Sequence, residues 1–214
     1  MIPAFVLLAS ASPRRHDILN QLGVVHGVLR VPAPVGEDEP RLPGEAPADY
    51  VRRTARDKAR QALAWLAADG RPDDIPLDWP QDWAQAPILC ADTTVILDDD
   101  VLGKPADALQ AAAMLRRLSG RTHHVHTAVV LAAHGHLLET CQISEVRFQP
   151  LDDADIEQYC ATGEPFGKAG SYAIQGRAAA FVTHLSGSHS GVMGLPAHDT
   201  MHLLQQASAL PSRR

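Results

Sequence analysis

The sequence predicts an α/β fold built around a mixed sheet. Two observations carry that expectation: strand-like and helix-like segments interleave along the chain, and one pair of strands is joined by a hairpin signal. The 214 residues suffice for one large domain or two small ones with a shared cleft, and no internal repeats are found.

The elements follow in order. Residues 5–9 form a short apolar run that reads as a buried strand. Ser12-Pro13 then supplies an N-cap and a proline suited to the first helical position, and the helix runs through Ile18, Leu19 and Leu22 to Gly23. Residues 31–47, rich in proline, glycine and acid, read as a loop. A second helix is expected from about Ala48 to Ala68. Residues 69–87, proline-rich with two tryptophans, read as a surface loop or insert. Residues 88–97 read as a strand that turns at Asp98-Asp99-Asp100. Residues 107–118 read as a helix closed by Gly120. Residues 125–133 and 137–148 read as a hairpin around His134-Gly135-His136. A helix is expected at 153–160, strands at 171–173 and 180–185, and a last helix at 197–206.

Composition narrows the function. No window of about 18 apolar residues exists, so no membrane span is predicted. The stretch Met1-Ile2-Pro3-Ala4-Phe5 lacks the basic residues of a secretory signal. Cys90, Cys141 and Cys160 show neither metal spacing nor a disulfide pattern, which suits a reducing cytoplasm. The net charge of −6 with neutral histidines argues against a polymeric nucleic acid partner, which normally requires a basic surface. A small anion remains compatible with a few cations in a cleft.

Several residues could carry chemistry. Arg14 and Arg15 occupy the first helical turn, where the macrodipole disfavours cations. Either they are solvated and tolerate the penalty, or an anion faces them. A helix N-terminus with Ser10, Ser12 and two guanidinium forks would make a phosphate site. Removing Arg15 is accordingly expected to leave stability unchanged or raised. Asp92 interrupts the apolar run 88–97. A carboxylate there is costly unless paired or metal-bound, so it is a candidate ligand or general base, with a turn cap as the plainer alternative. Lys58 borders the small and apolar stripe Val51, Ala55, Ala59, Ala62 and Leu66. It either reaches a cleft or snorkels at the edge of that face. Lys104 sits between Gly103 and Pro105, and taken alone is an ordinary loop lysine. The stretch from Gly163 to Gly170 is not a P-loop: three residues intervene before Gly167-Lys168 and Ala169 follows, whereas that motif needs four and then Ser or Thr. Lys168 and Gln175 can still meet a ligand there. His123, His124 and His126 lack supporting carboxylate or cysteine spacing for a metal.

Taken together, these segments resemble the Maf family of nucleoside triphosphate pyrophosphatases. The matching residues are Leu8 to Arg15, Asp38-Glu39, Arg56 to Ala59, Ala91 to Thr93, Gly103 to Pro105, Leu118 to Gly120, Gly163 to Pro165, Lys168 to Gly170, Ile174 to Gly176 and Gly194 to Pro196. The resemblance covers almost the whole chain in order. It implies a single domain over residues 1–214 with two lobes, a twisted mixed sheet, flanking helices and a deep central cleft, often in a homodimer. It implies cleavage between the α- and β-phosphates with a divalent cation, Mg²⁺ or Mn²⁺. It implies catalytic roles for Asp92, Glu39 and Lys104, metal ligation by Glu39 and Asp92, and substrate contacts from Ser12, Arg14, Arg15, Lys58, Thr93, Lys168 and Gln175. Arg14, Thr93 and Gln175 match the branch of the family that takes dTTP and UTP, with clearance of modified nucleotides as a further role. Trp, Gln and Glu stand at those positions in the branch that takes a methylated guanine nucleotide. Two alternatives stand beside this: a non-catalytic nucleotide-binding regulator of cell division, which would need the cations but not Asp92, and a phosphatase that releases single phosphates.

Overall fold

The structure, a computed structural model, describes residues 1–32, 40–68, 70, 72 and 75–211. A mixed sheet of seven strands forms its centre. β1 (Val6–Leu8) pairs in parallel with β2 (His26–Val28) on one side and with β3 (Ile88–Leu97) on the other. β4 (Asp100–Leu102) folds back on the far end of β3. β5 (Thr122–Ala133), β6 (His136–Phe148) and β7 (Val182–Ser186) continue the sheet antiparallel, in the order β3-β5-β6-β7. The tight turn between β5 and β6 falls at His134-Gly135, where the hairpin is expected.

Side chains alternate across the strands, and each face collects its own helices. On one face, Val6, Leu8, Leu89 and Ala91 pack with Ile18 and Leu19 of α1 (Pro13–Gln21) and Leu203 and Leu204 of α6 (Ala197–Ala209). Further along that face, Val95, Leu97 and Val125 pack with Leu115 and Leu118 of α3 (Ala108–Leu118) and Ile156 and Tyr159 of α4 (Asp153–Cys160). On the opposite face, Leu7, Ile88, Cys90 and Val130 meet Val51, Ala55, Ala59 and Ala62 of α2 (Pro47–Ala67). The alanines are the reason α2 lies close to the sheet. A stripe of methyl groups lets the helix backbone approach, so side chains flanking it reach the strand ends.

Three local expectations are corrected. The 69–87 connection is not merely a surface insert. Trp83 is buried and stacks edge-on with Trp79, which in turn packs on Phe5. A Cβ on Gly27 would fall 2.2 Å from the Trp79 ring, so that glycine admits the indole against β2. Residues 171–173 form no strand: Ser171 adopts φ 64° inside a short 3-10 turn, which breaks any extended run. Ser12 sits at the N-cap of α1, but its hydroxyl makes no cap hydrogen bond. Sequence reading also missed three short elements, β2, β4 and α5 (His189–Met193). Three and five residues are too few to show a period. No helix among the described residues is long and apolar enough to cross a membrane.

Candidate active site

β1 stops pairing with β3 at Leu89, and β4 begins only opposite Val95. Residues 90–94 of β3 therefore have β5 on one side and, among the described residues, no strand on the other. α1 leaves β1 on one face and α2 enters β3 from the other, so the chain reverses direction of winding here. Such a switch point opens a crevice at the carboxyl ends of the strands. A cavity of about 620 Å³ occupies it. Ser12, Arg14, Arg15, Lys58, Asp92, Thr93, Lys104, Lys168 and Gln175 all line this cavity. Of the site residues that the resemblance implies, Glu39 alone is missing from that set, and it lies outside the described residues.

Asp92 faces α2. Its Oδ1 accepts from the Lys58 ammonium at 2.5 Å and its Oδ2 from the Thr54 hydroxyl at 2.9 Å. The carboxylate in an apolar strand is thus paired, as burial demands, and Lys58 is no snorkelling surface lysine. Beneath it, burial pushes the Cys90 thiol up to about 12, so this cysteine offers no thiolate at neutral pH.

The opposite wall comes from α1 and α5. Arg15 Nε donates to Gly194 O at 2.7 Å, its NH1 to Ser10 Oγ at 3.1 Å and its NH2 to Thr93 Oγ1 at 3.4 Å. Arg14 Nε donates to Met193 O at 3.1 Å. The last carbonyls of α5, a negative dipole end, hold the guanidinium groups that α1 itself disfavours. Gly194 has φ 121°, and a Cβ there would lie 3.5 Å from Arg15 Nε, so glycine lets this carbonyl turn toward the arginine. Burial lowers the pKa of both arginines; for Arg15, Asp92 works against that and Arg14 adds to it. These three hydrogen bonds weigh against the sequence expectation that removing Arg15 leaves stability unchanged or raised. Ser12 Oγ is buried at the cavity with no hydrogen-bond partner among the described residues. A hydroxyl so placed is costly unless a ligand or water serves it.

The glycine-rich segment closes the cavity. Lys168 Nζ donates to Glu164 O at 2.5 Å, and burial, then Arg14, lowers its pKa. Glu164 fastens this loop to the residues after Gln175: it accepts from Arg177 N at 3.0 Å and from the Tyr159 hydroxyl at 2.8 Å. Burial works to raise the Glu164 pKa, but those donors hold it below the usual carboxylate range. Gly170 N donates to Gly103 O at 3.1 Å, which brings the Lys104 turn alongside. Thr54, Glu164 and the α5 carbonyls were not legible as site components. Backbone acceptors leave no mark in a sequence, and a threonine among alanines reads as helix surface.

His123 is absorbed in structure: its Nε2 pairs with the Tyr172 hydroxyl at 2.8 Å inside the core. The rings of His124 and His126 lie 6.4 Å apart along β5.

The described lining contains six basic side chains, Arg14, Arg15, Arg30, Lys58, Lys104 and Lys168, and one carboxylate, Asp92. That balance calls for a polyanion. Comparison with known proteins agrees with the arrangement. Residues 5–207 match the Maf-like protein family. A protein of Bordetella parapertussis named dTTP/UTP pyrophosphatase is 55% identical over 205 residues, covering 96% of this chain and 93% of its own. One of the same name from Bordetella avium is 54% identical, covering 95% and 96%. Another from Burkholderia pseudomallei is 52% identical over 209 residues, covering 95% and 93%. With the family matched over residues 5–207 and these relatives more than half identical over nearly the whole chain, this chain belongs to the Maf family.

Proposed function

We propose that the protein hydrolyses dTTP and UTP to the nucleoside monophosphate and pyrophosphate. The observation that carries this reading is the Asp92 carboxylate, set among six cations in the described lining of one cavity. The relatives' shared name supports it, and favours catalysis over the alternative of a non-catalytic regulator.

Arg15, Lys58 and Lys104 neutralise charge on the β- and γ-phosphates as it builds in the transition state. Ser12 and Lys168 hold phosphate oxygens. Asp92 orients a water and takes its proton as the water oxygen attacks the α-phosphorus. The bond from that phosphorus to the α–β bridging oxygen breaks, and pyrophosphate leaves with the electron pair. Arg14 and Gln175 offer N–H donors that suit the carbonyl oxygens of uracil and thymine.

The family implies a divalent cation, and the donor set fits one. Among the described residues no group of three or more metal-ligating side chains exists. A carboxylate carries about four lone-pair sites, and Lys58 and Thr54 occupy two of those on Asp92. Mg²⁺ and Mn²⁺ accept such a site, because Mg²⁺ in particular takes one or two carboxylates and fills the rest with phosphate and water. Asp92 would hold the ion, together with Glu39. When bound it supplies electrophilic stabilisation of the phosphates and a more acidic water. We read residues 1–214 as one domain with two lobes, acting in the cytoplasm, without nucleic acid or membrane partners, and as a homodimer.

A panel of nucleoside triphosphates assayed for pyrophosphate release tests the proposal. Release of pyrophosphate from dTTP and UTP is expected. Release of single phosphates, or nucleotide binding without turnover, would overturn it.

A further inference from the structure

Thr127 lies directly opposite Thr93 in the antiparallel β3–β5 pair and is fully buried. Its Oγ1 donates to Gly191 O at 2.7 Å. The two threonine oxygens are 3.0 Å apart. A threonine hydroxyl has one hydrogen. Gly191 O can only accept, so the Thr127 hydrogen is committed there. The hydrogen between the two threonines must then come from Thr93. The Thr93 oxygen is left with lone pairs only, and the Arg15 guanidinium donates to it. A directed chain results: Arg15 to Thr93, Thr93 to Thr127, Thr127 to the carbonyl of α5.

We infer that Thr127 is a positioning residue, which turns the Thr93 hydroxyl into a pure acceptor and so holds Arg15 against the triphosphate. The chain links both elements that grip Arg15, since Gly191 and Gly194 belong to the same short helix and its exit. It also limits Thr93. With its hydrogen committed inward, Thr93 cannot donate to a carbonyl of the base, so base choice falls to Arg14 and Gln175. The kinetic part of this inference rests on the proposed pyrophosphatase activity; the hydroxyl direction does not.

The test uses two replacements with opposite meanings. Thr127→Val keeps the branched shape and removes the hydroxyl. Thr127→Ser keeps the hydroxyl and removes a methyl group. With dTTP, Thr127→Val is expected to lower kcat by ~10-fold, the scale of one positioned hydrogen bond, with KM little changed because the loss falls on the transition state. Thr127→Ser is expected to stay within about 3-fold of wild type. The reverse ranking, with Val active and Ser impaired, would mean that Thr127 only fills space and would overturn the inference. A second cycle reads stability in urea for wild type, Thr93→Val, Thr127→Val and the double variant. Residues sharing a hydrogen bond give non-additive shifts, so the double variant should lose less than the sum. Additive shifts would refute the hydroxyl direction even in a protein that releases no pyrophosphate, an outcome that sinks the functional proposal separately. Coupled urea shifts with unchanged kcat would refute the positioning role.

Discussion

Asp92→Asn separates chemistry from folding more sharply than any other replacement. The side chain keeps its shape, and its remaining carbonyl can still accept from Thr54. What is lost is the charge facing Lys58 and the capacity to take a proton. The pair is partly open to solvent, with side-chain exposures of 34% for Lys58 and 16% for Asp92, so screening limits its contribution to roughly 1 kcal/mol. In a chain of 214 residues that corresponds to a fall in Tm of about 2–4 °C. Turnover should suffer far more: loss of a general base typically costs ~10²-fold or more. Pyrophosphate release from dTTP with saturating Mg²⁺ gives kcat, a thermal melt gives Tm, and equilibrium dialysis with dTTP gives binding. A folded variant that keeps kcat within about 3-fold of wild type would refute the role of Asp92 as proton acceptor. A variant that fails to fold would show the ion pair to be structural first.

Arg15→Ala should lower kcat by ~10²-fold, as loss of one anion-stabilising donor does, and, because it strands Gly194 O and the Thr93 oxygen, should lower the urea midpoint as well; unchanged kinetics with lowered stability would assign Arg15 to structure alone. Wild type should prefer dTTP and UTP to dATP and dGTP by at least ~10²-fold in kcat/KM, and the combined change Arg14→Trp, Thr93→Gln, Gln175→Glu should weaken pyrimidine use and raise use of 7-methyl-GTP; a wild type faster on 7-methyl-GTP would overturn the base assignment. Burial, helped by His124, pushes the His123 pKa down to about 4, below its ordinary 6.5, so the folded state binds fewer protons than the unfolded one between those values. Stability from this histidine is complete above pH 6.5 and declines as pH falls toward 4, by at most ~1.4 kcal/mol per pH unit; urea midpoints should show His123→Gln less sensitive to that window than wild type, and equal sensitivity would exclude the contribution.

Much of the fold was legible because its long elements declare a period. The stretch from Asp153 to Cys160 has a capping box in which Asp152 accepts from Asp155 N, and the expected helix bounds match. The run 88–97 is largely apolar on both faces because helices cover both, and its one charged residue, Asp92, pointed to the site. The failures share a cause. Trp79 and Trp83 stand in a proline-rich stretch, so local composition reads as surface while tertiary packing draws them inward. Ser171 looks extended until its left-handed backbone is seen. Arg14 and Arg15 were read correctly as ill-placed for their own helix, but the sequence could not show that α5, some 180 residues on, offers its carbonyls to them. Taken alone, Lys104 read as a loop lysine and Lys58 as the edge of an apolar stripe; only the resemblance gave them roles, and the fold sets both on the cavity that holds Asp92.

The placement of Asp92 beside Thr93 explains how two adjacent residues serve different ends. Successive side chains on a strand point to opposite faces. Asp92 turns to the α2 face, where Thr54 and Lys58 meet it. Thr93 turns to the face of α1 and α5, where it meets Arg15 and Thr127. On that second face the Thr93–Thr127 pair lies between two apolar cores, with Ala91 and Val129 on one side and Val95 and Val125 on the other. A polar pair inside a strand pair weakens the sheet's apolar continuity unless its hydrogen bonds are complete, and here the arginine and the α5 carbonyl complete them. Among the described residues no strand covers the other edge of 90–94, which on the proposed reading leaves one ligand room to touch both faces. On the proposed reading a triphosphate meets Asp92 from the α2 side, while Arg15, which donates to Thr93, meets it from the α1 side. Asp92 and Thr93 hang from neighbouring Cα atoms of β3, so the backbone sets the separation between the carboxylate and the hydroxyl that receives Arg15, a form of the preorganisation that electrostatic catalysis requires.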